Sequence, residues 1–194
     1  IHAGDSTKRG TAPQLREVAE FIAAQPHAHK VVIAGNHDFG LQEDLGLGRT
    51  LFGNAYLCDA ELRCGDVRVW GSPWQPWFYD WAFNLQRGAP LREKWDLIPE
   101  GTDVLVTHGP PQGILDRTVM GQDVGCEELL LAAMRVRPRV HVFGHIHEAY
   151  GTRRVGDTLF VNASTCTLAY QPDNAPIVVE LPSDRSAPAF VITG

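Results

Sequence analysis

A Gly-His-X-His pattern at the end of an apolar run limits the possible folds of this chain more than any other feature. The run begins at Val140 and stops at Gly144, and His145 and His147 follow with one residue between them. Because alternate side chains of an extended segment share one face, both imidazoles can reach the same small volume at the end of a strand. A single histidine is most often a surface or core residue. The pair indicates a metal site.

Three other apolar runs end in polar side chains of the kinds that bind metals. Asp5 follows the run from Ile1 to Ala3, and His108 follows the run that ends at Thr107. The run that ends at Ala34 leads into Gly35 and then into Asn36, His37 and Asp38. Ligands of open α/β sheets bind at the carboxyl ends of the strands, so these side chains are predicted to lie in one site.

Mixed oxygen and nitrogen ligands predict the class of metal and the reaction. Asp, Asn and His together suit Mn²⁺, Fe, Zn²⁺ or Co²⁺ better than Ca²⁺, which prefers oxygen ligands alone. A neutral Asn36 beside Asp5 is consistent with an aspartate that bridges two cations. Two cations about 3.5–4 Å apart can hold a hydroxide nucleophile and clamp the oxygens of a phosphoryl group. The pattern therefore predicts a phosphoester hydrolase with two divalent metal ions.

The periodicity of the remaining chain predicts an α/β fold in a single domain, residues 1–194. Short β-branched runs of the buried, parallel type alternate with segments of helical period. Residues 62–72 alternate in polarity, which favours strands of a second, antiparallel sheet. The predicted helices cover residues 13–25, 87–98 and 125–136, and the other predicted strands cover residues 1–3, 30–34, 103–107, 139–143, 158–163, 177–181 and 190–193.

Composition limits the class of protein only weakly. The chain has 194 residues, 44% of them hydrophobic, and a formal charge of −6, which gives no sign of a nucleic-acid-binding surface. Its four cysteines contain no Cys-x-x-Cys pair and predict free thiols in a reducing compartment. No run reaches the roughly 18 apolar residues of a membrane span. We therefore expect a cytoplasmic protein that does not bind membranes, with an oligomeric state that the sequence leaves open.

The segment from Pro73 to Asn84 concentrates aromatic residues in a proline-containing loop. Two interpretations remain open at this stage. The loop could fold back and bury its rings, because aromatic side chains hide large areas. Alternatively, the rings form a wall for a substrate, and the residues predicted for this role are Trp74, Trp77, Phe78 and Trp81.

Four of these motifs, in this order, resemble sequence blocks of the calcineurin-like metallophosphoesterases: Gly4-Asp5, Gly35-Asn36-His37-Asp38, Thr107-His108-Gly109 and Gly144-His145-Ile146-His147. The resemblance implies a four-layer α/β/β/α sandwich of two mixed sheets flanked by helices. It also implies that Asp5 bridges two metals and that His147 binds the second one. It makes His37 a proton donor or phosphate ligand that Asp38 orients. The ligands implied for the first metal are Asn36, His108 and His145.

The aromatic segment, together with Gly144 to Gly151 and Val161 to Cys166, further resembles the metallophosphoesterase-domain-containing subgroup, which is related to animal brain proteins. That subgroup is similar to cyclic-nucleotide phosphodiesterases. The implied partner is a small phosphoester, such as a cyclic nucleotide, and no nucleic acid or membrane is implied.

One block of the family, an Asp-x-His strand, has no counterpart in this sequence. His2 cannot replace it, because strand alternation directs its side chain away from Asp5. We therefore expect a missing first strand, an N-terminally truncated domain, and one complete and one incomplete metal site. A non-catalytic scaffold with the same fold is the alternative to a phosphoesterase, since fold alone does not decide between them.

Overall fold

The computed structural model describes residues 1–193, which contain five α-helices and ten β-strands. Their bounds are α1 (Ala12–Ala24), α2 (Phe39–Glu43), α3 (Leu47–Phe52), β1 (Ala60–Cys64), β2 (Val67–Ser72), β3 (Gln75–Pro76), β4 (Asn84–Leu85), α4 (Ala89–Trp95), β5 (Val104–Thr107), α5 (Glu127–Val136), β6 (Val140–Phe143), β7 (Gly151–Val155), β8 (Thr158–Asn162), β9 (Val178–Glu180) and β10 (Phe190–Thr193). Short 3₁₀ turns cover Gly53–Ala55 and His147–Ala149.

Six of the strands form one mixed central sheet in the order β1-β2-β5-β6-β8-β7. The four middle strands run parallel, and β1 and β7 are antiparallel edges. The predicted α/β class is confirmed, with helices flanking a multi-stranded sheet. The prediction of a separate sheet for residues 62–72 is wrong. β1 and β2 do form an antiparallel hairpin, but β2 also pairs in parallel with β5 and so joins the central sheet.

Alternation along the parallel strands divides the apolar side chains between two cores. On β5, Val104 and Val106 face one core and Leu105 faces the other. Leu105 packs with Leu91 of α4 and Leu129 of α5, so these two helices cover one face of the sheet. The opposite face of the sheet packs against residues 177–181, which include β9. β9 pairs with β10 in a separate antiparallel sheet. Burial on both faces explains the continuous apolar character of the middle strands.

The first two predicted strands form only isolated bridges. His2 pairs in parallel with Val32, and Val32 also pairs in parallel with Tyr56. The N–H of His2 donates to the Val31 carbonyl oxygen at 2.8 Å, and the N–H of Ile33 donates to the His2 carbonyl oxygen at 3.1 Å. These bonds place the start of the chain beside residues 31–34, so that Gly4 and Gly35 emerge at the same end.

Helix α1 covers this N-terminal pairing, as its apolar period predicts. Pro13 lies in its first turn, where the missing N–H costs no intrahelical hydrogen bond. Leu15 is fully buried against Ala34 and Leu41. Among residues 1–193, no helix combines the length and the apolar character needed to cross a bilayer.

Candidate metal centre and substrate cavity

Three side chains from distant parts of the chain converge at the carboxyl ends of the strands. Ligand atoms of Asp5, His108 and His145 all lie within 4.8 Å of one another. Oδ1 of Asn36 joins the group, 2.9 Å from Nε2 of His108. His108 follows β5 and His145 follows β6, so the parallel pairing of these strands brings the two imidazoles side by side, with ring centroids 5.0 Å apart.

Two glycines allow the backbone to approach this group closely. A Cβ atom on Gly35 would lie 2.3 Å from both the backbone nitrogen and Oδ1 of Asp5. A Cβ on Gly4 would lie 2.6 Å from Nδ1 of His108, and Gly4 also has a positive φ of 96°. Any larger residue at either position would displace the carboxylate or the imidazole.

Two of the converging residues adopt backbone conformations that L-residues seldom use. Asp5 has a φ of 57° and His145 a φ of 71°. Such conformations cost free energy and persist where the surroundings impose them, most often at functional sites.

The buried carboxylate of Asp38 holds the loop that carries Asp5. It accepts hydrogen bonds from the N–H groups of Gly35 at 2.9 Å, Ser6 at 3.2 Å and Thr7 at 3.1 Å. The Thr7 hydroxyl donates a further bond at 2.9 Å. Burial raises the pKa of Asp38, although these donors oppose that effect. Asp38 therefore ties residues 5–7 to residue 35.

The His37 ring has a hydrogen-bond partner other than Asp38. Within residues 1–193, none of the hydrogen bonds of the Asp38 carboxylate goes to the His37 ring. Nδ1 of His37 instead lies 3.2 Å from the Lys8 carbonyl oxygen. A carbonyl oxygen only accepts, so Nδ1 carries the proton and Nε2 is left for other partners. The side chains of consecutive residues 37 and 38 point to opposite sides of their turn, one to the cavity and one to the core. The orienting role of Asp38 toward His37 stays a prediction.

The charges at the centre suit a divalent cation. Burial alone would raise the pKa of Asp5, but His108, the N–H of His37 and His145 outweigh it and keep the pKa well below its usual value. Burial lowers the pKa of His145 to about 3, which keeps this imidazole neutral at physiological pH. Burial also tends to lower the pKa of His108, but the charge of Asp5 prevails and raises it. An ionised carboxylate, a neutral imidazole and an amide oxygen form a donor set that fits a bound metal ion.

His147 stands beside this group rather than within it. Its Nδ1 lies 3.1 Å from the Thr167 carbonyl oxygen, so Nε2 is the nitrogen that could bind a ligand. The ring of Tyr170 packs edge-on against it, with centroids 5.3 Å apart. His147 and Asp5 both line the same cavity, which is the placement that a ligand of a second cation would need.

The cavity over the centre has a volume of about 360 Å³. Of the four aromatic residues predicted to face a substrate, Trp77, Phe78 and Trp81 line it. The ring of Phe78 lies 6.4 Å from that of His145, and the ring of Trp81 lies 4.4 Å from that of His37. The aromatic segment thus faces the polar centre directly.

Trp74 does not line the cavity, contrary to the prediction. Its indole N–H donates to Oδ2 of Asp59 at 2.9 Å, and the ammonium of Lys94 lies 4.4 Å from its ring centroid. Its ring packs edge-on against the buried ring of Phe83. The segment is therefore divided: Trp74 packs against the protein, whereas Trp77, Phe78 and Trp81 line the cavity.

A few hydrogen bonds give the aromatic segment its shape. The side-chain amide of Asn84 donates to the carbonyl oxygens of Phe78 at 3.1 Å and Tyr79 at 2.8 Å. The N–H of Ala82 donates to the carbonyl oxygen of Asn36 at 3.0 Å. The aromatic segment is therefore attached to Asn36, whose side-chain oxygen belongs to the candidate metal centre.

The cavity contains further residues that the sequence analysis did not identify. Gln75, Arg87 and Thr118 contribute to its polar lining, and Leu168 and Tyr170 contribute apolar surface. Tyr170 belongs to an irregular segment with no apolar period. Its proximity to His147 depends on the turn at residues 167–171, for which the sequence carries no local signal.

The family of the chain follows from its agreement with known proteins. The sequence profile described as calcineurin-like phosphoesterase matches residues 1–149. The chain belongs to the calcineurin-like phosphoesterase family. Membership was predicted from the four motifs and is confirmed.

Named relatives agree with this assignment. The chain is 45% identical to metallophosphoesterase domain-containing protein 1 of Homo sapiens, over 96% of this chain and 65% of that protein. It is 36% identical to a UPF0046 protein of Caenorhabditis elegans, over 98% of this chain and 56% of that protein. A solved structure with 19% sequence identity superposes with a TM-score of 0.60, over 78% of this chain and 63% of that one, and supports the fold. The chain thus spans less than two thirds of the length of these relatives.

Proposed function

We propose that this protein is a metal-dependent phosphodiesterase that acts on small diesters, such as cyclic nucleotides. The observation that carries the proposal is the convergence of Asp5, Asn36, His108 and His145 on one point, beside His37 and below an aromatic-walled cavity. Calcineurin-like phosphoesterases are metal-dependent hydrolases, so family membership supports the general reaction. The preference for diesters, the number of metals and the nucleotide are our inferences.

The ligands divide into two groups in this proposal. Asn36, His108 and His145 would hold one divalent cation, His147 would contribute to a second, and Asp5 would serve both. When bound, Mn²⁺, Fe, Zn²⁺ or Co²⁺ would neutralise phosphoryl charge and lower the pKa of water, which in general supplies the nucleophile of such reactions. The cavity accommodates this chemistry, since every one of these side chains except the buried His108 lines it.

His37 is the proton donor to the leaving oxygen in this proposal. Its protonated Nδ1 donates to the Lys8 carbonyl oxygen, so the imidazolium form carries its second proton on Nε2. His37 lines the cavity, and its backbone N–H donates to Oδ1 of Asp5 at 2.9 Å. That bond keeps the donor next to the metal centre, where the scissile bond must lie.

The aromatic wall supports a planar substituent on the substrate. Trp77 and Phe78 line the cavity while keeping 53% and 51% of their surface exposed. Rings left exposed beside a polar centre can stack on a nucleobase, a contact worth about 1–3 kcal/mol per base. A phosphomonoester without a ring would gain nothing from this wall.

The proposal is tested by adding Mn²⁺ to the protein and measuring hydrolysis of bis(4-nitrophenyl) phosphate, 4-nitrophenyl phosphate and a cyclic nucleotide. We expect turnover of the diesters that a chelator abolishes. His108→Ala should remove it, whereas His29→Ala, which alters an exposed histidine away from the cavity, should not. Tight metal binding without hydrolysis of any ester would refute the proposal in favour of the non-catalytic scaffold.

A further inference from the structure

A second hollow adjoins the catalytic cavity on the far side of the aromatic segment. It has a volume of about 430 Å³ and shares two walls, Phe78 and Trp81, with the cavity over the metal centre. Its other borders are Arg9, Phe39, Tyr79 and Asp80. A ligand that fills the catalytic cavity and extends past Trp81 would enter this hollow.

Arg9 supplies the hollow with a guanidinium group that is free to bind an anion. Its guanidinium carbon lies 5.6 Å from the ring centroid of Trp81 and 5.9 Å from that of Phe39. These rings hold the cation without using its N–H donors. Within residues 1–193, Arg9 takes part in none of the ion pairs, so its planar donor face remains available.

The position of His37 determines which part of a substrate would reach this hollow. Its ring lies 4.4 Å from the ring of Trp81, and its Nδ1 bonds the carbonyl oxygen of Lys8, the residue before Arg9. If His37 protonates the leaving oxygen, the leaving group departs alongside Trp81. Arg9 then lies farther along the same path.

We propose that Arg9, Phe39 and Trp81 form a leaving-group subsite for a planar group with an anionic substituent. The inference rests on the proposed function and adds a preference to it: among acyclic phosphodiesters, those whose leaving alcohol carries a second negative charge should react faster. In the reaction, a bond forms between water oxygen and phosphorus, and the water releases a proton to the solvent. The bond from phosphorus to the leaving oxygen breaks, and His37 supplies a proton to that oxygen and regains one from the solvent. Arg9 binds the substituent and takes no part in bond breaking.

A neighbouring groove provides the competing alternative. It has a volume of about 450 Å³, also borders Trp81, and contains the carboxylates of Glu43 and Asp80 without an arginine. A leaving group that took this path would be selected for positive charge. Asp80 borders both hollows, so its removal should favour an anion in either of them.

The two paths are distinguished by three methyl aryl phosphodiesters whose leaving phenol carries a para carboxylate, a para carboxamide or a para aminomethyl group. The carboxylate and the carboxamide are nearly the same size. Their leaving phenols differ in pKa, but this difference affects the wild type and each variant equally and so cancels when their ratios are compared. The readout is the ratio of kcat/KM values, carboxylate over carboxamide, for the Mn²⁺-loaded protein. Arg16→Gln is the matched control, because it removes the same charge from an exposed position of α1 outside both hollows.

We expect Arg9→Gln to lower kcat/KM for the carboxylate by at least about 5-fold and to leave the carboxamide unchanged. Equal losses on both compounds, or a preference for the aminomethyl compound, would overturn the subsite while leaving the proposed function intact. If the wild type hydrolyses none of the three compounds, the proposed function fails. The subsite is then tested by measuring dissociation constants for the same compounds by calorimetry, and equal constants for the carboxylate and the carboxamide would overturn the subsite.

Discussion

Nε2 of His108 lies 2.9 Å from Oδ1 of Asn36, a residue that is 72 positions away in the chain. The other nitrogen of the same ring lies 2.9 Å from the carbonyl oxygen of Ala3. Because that oxygen only accepts, Nδ1 keeps its proton and Nε2 is the atom available to a metal. One imidazole therefore connects the first residues of the chain, the segment after Ala34 and the end of β5.

Asp5→Asn should remove most of the bound metal. Among residues 1–193, Asp5 is the only carboxylate in the close group of candidate ligands, and its amide analogue lacks the charge that attracts a divalent cation. Elemental analysis after gel filtration measures the effect, with His29→Ala as the control. Unchanged metal content in Asp5→Asn would disprove the assignment of the site.

His37→Ala should slow hydrolysis of a diester with a poor leaving group by about 10²–10⁴-fold while metal content is retained. An activated aryl diester should lose much less, because its leaving oxygen hardly needs a proton. Steady-state rates on both substrates provide the comparison. Equal losses would show that His37 positions the phosphate instead of donating a proton.

Asp38→Asn should reduce both stability and metal affinity, although Asp38 faces away from the cavity. The amide would direct its own N–H toward the donors on Gly35 or Thr7, and we expect a loss of about 1–3 kcal/mol in the free energy of unfolding. Urea unfolding and a metal titration measure the two effects, with the exposed Asp66→Asn as control. A loss of activity confined to poor leaving groups would instead support the orienting role toward His37.

Trp77→Ala and Trp74→Ala should have opposite consequences. Trp77 is exposed in the cavity, so its loss should raise KM for a cyclic nucleotide by about 5-fold or more and leave stability nearly unchanged. Trp74 packs between Lys94 and Phe83, so its loss should cost about 2–3 kcal/mol of unfolding free energy. Kinetics and urea unfolding of both variants provide the measurement. A substrate effect confined to Trp74 would reverse the assignment.

The fully buried His141 should make stability depend on acid. Burial lowers its pKa to about 3 in the folded state, below the ordinary value of 6.5 that we assume for the unfolded chain. The unfolded chain therefore binds a proton first, so stability falls as pH drops through 6.5 toward 3, by at most about 1.4 kcal/mol per pH unit. His141→Gln should flatten this slope in urea titrations at pH 7, 6 and 5. An unaltered slope would contradict the prediction.

Local sequence determined the chemistry of the centre. Asp5, Asn36, His108 and His145 each follow an apolar run and each stand next to a glycine, and all four are found at the same edge of the fold. This could be predicted because strand alternation and strand ends are properties of a few consecutive residues. Parallel strands then bring their carboxyl ends together, whichever strands are neighbours.

Only the tertiary structure decided which partners lie behind and around these residues. The sequence does not show that β2 pairs with β5, that Asp38 bonds Thr7, or that Tyr170 packs against His147. Each of these contacts joins segments that are far apart in the chain, and residues of the same type could make them with many other partners. Which of these partners are chosen depends on the conformational entropy lost when several loops close and on the apolar area buried in the shared core. Both quantities are properties of the complete fold and not of any short segment.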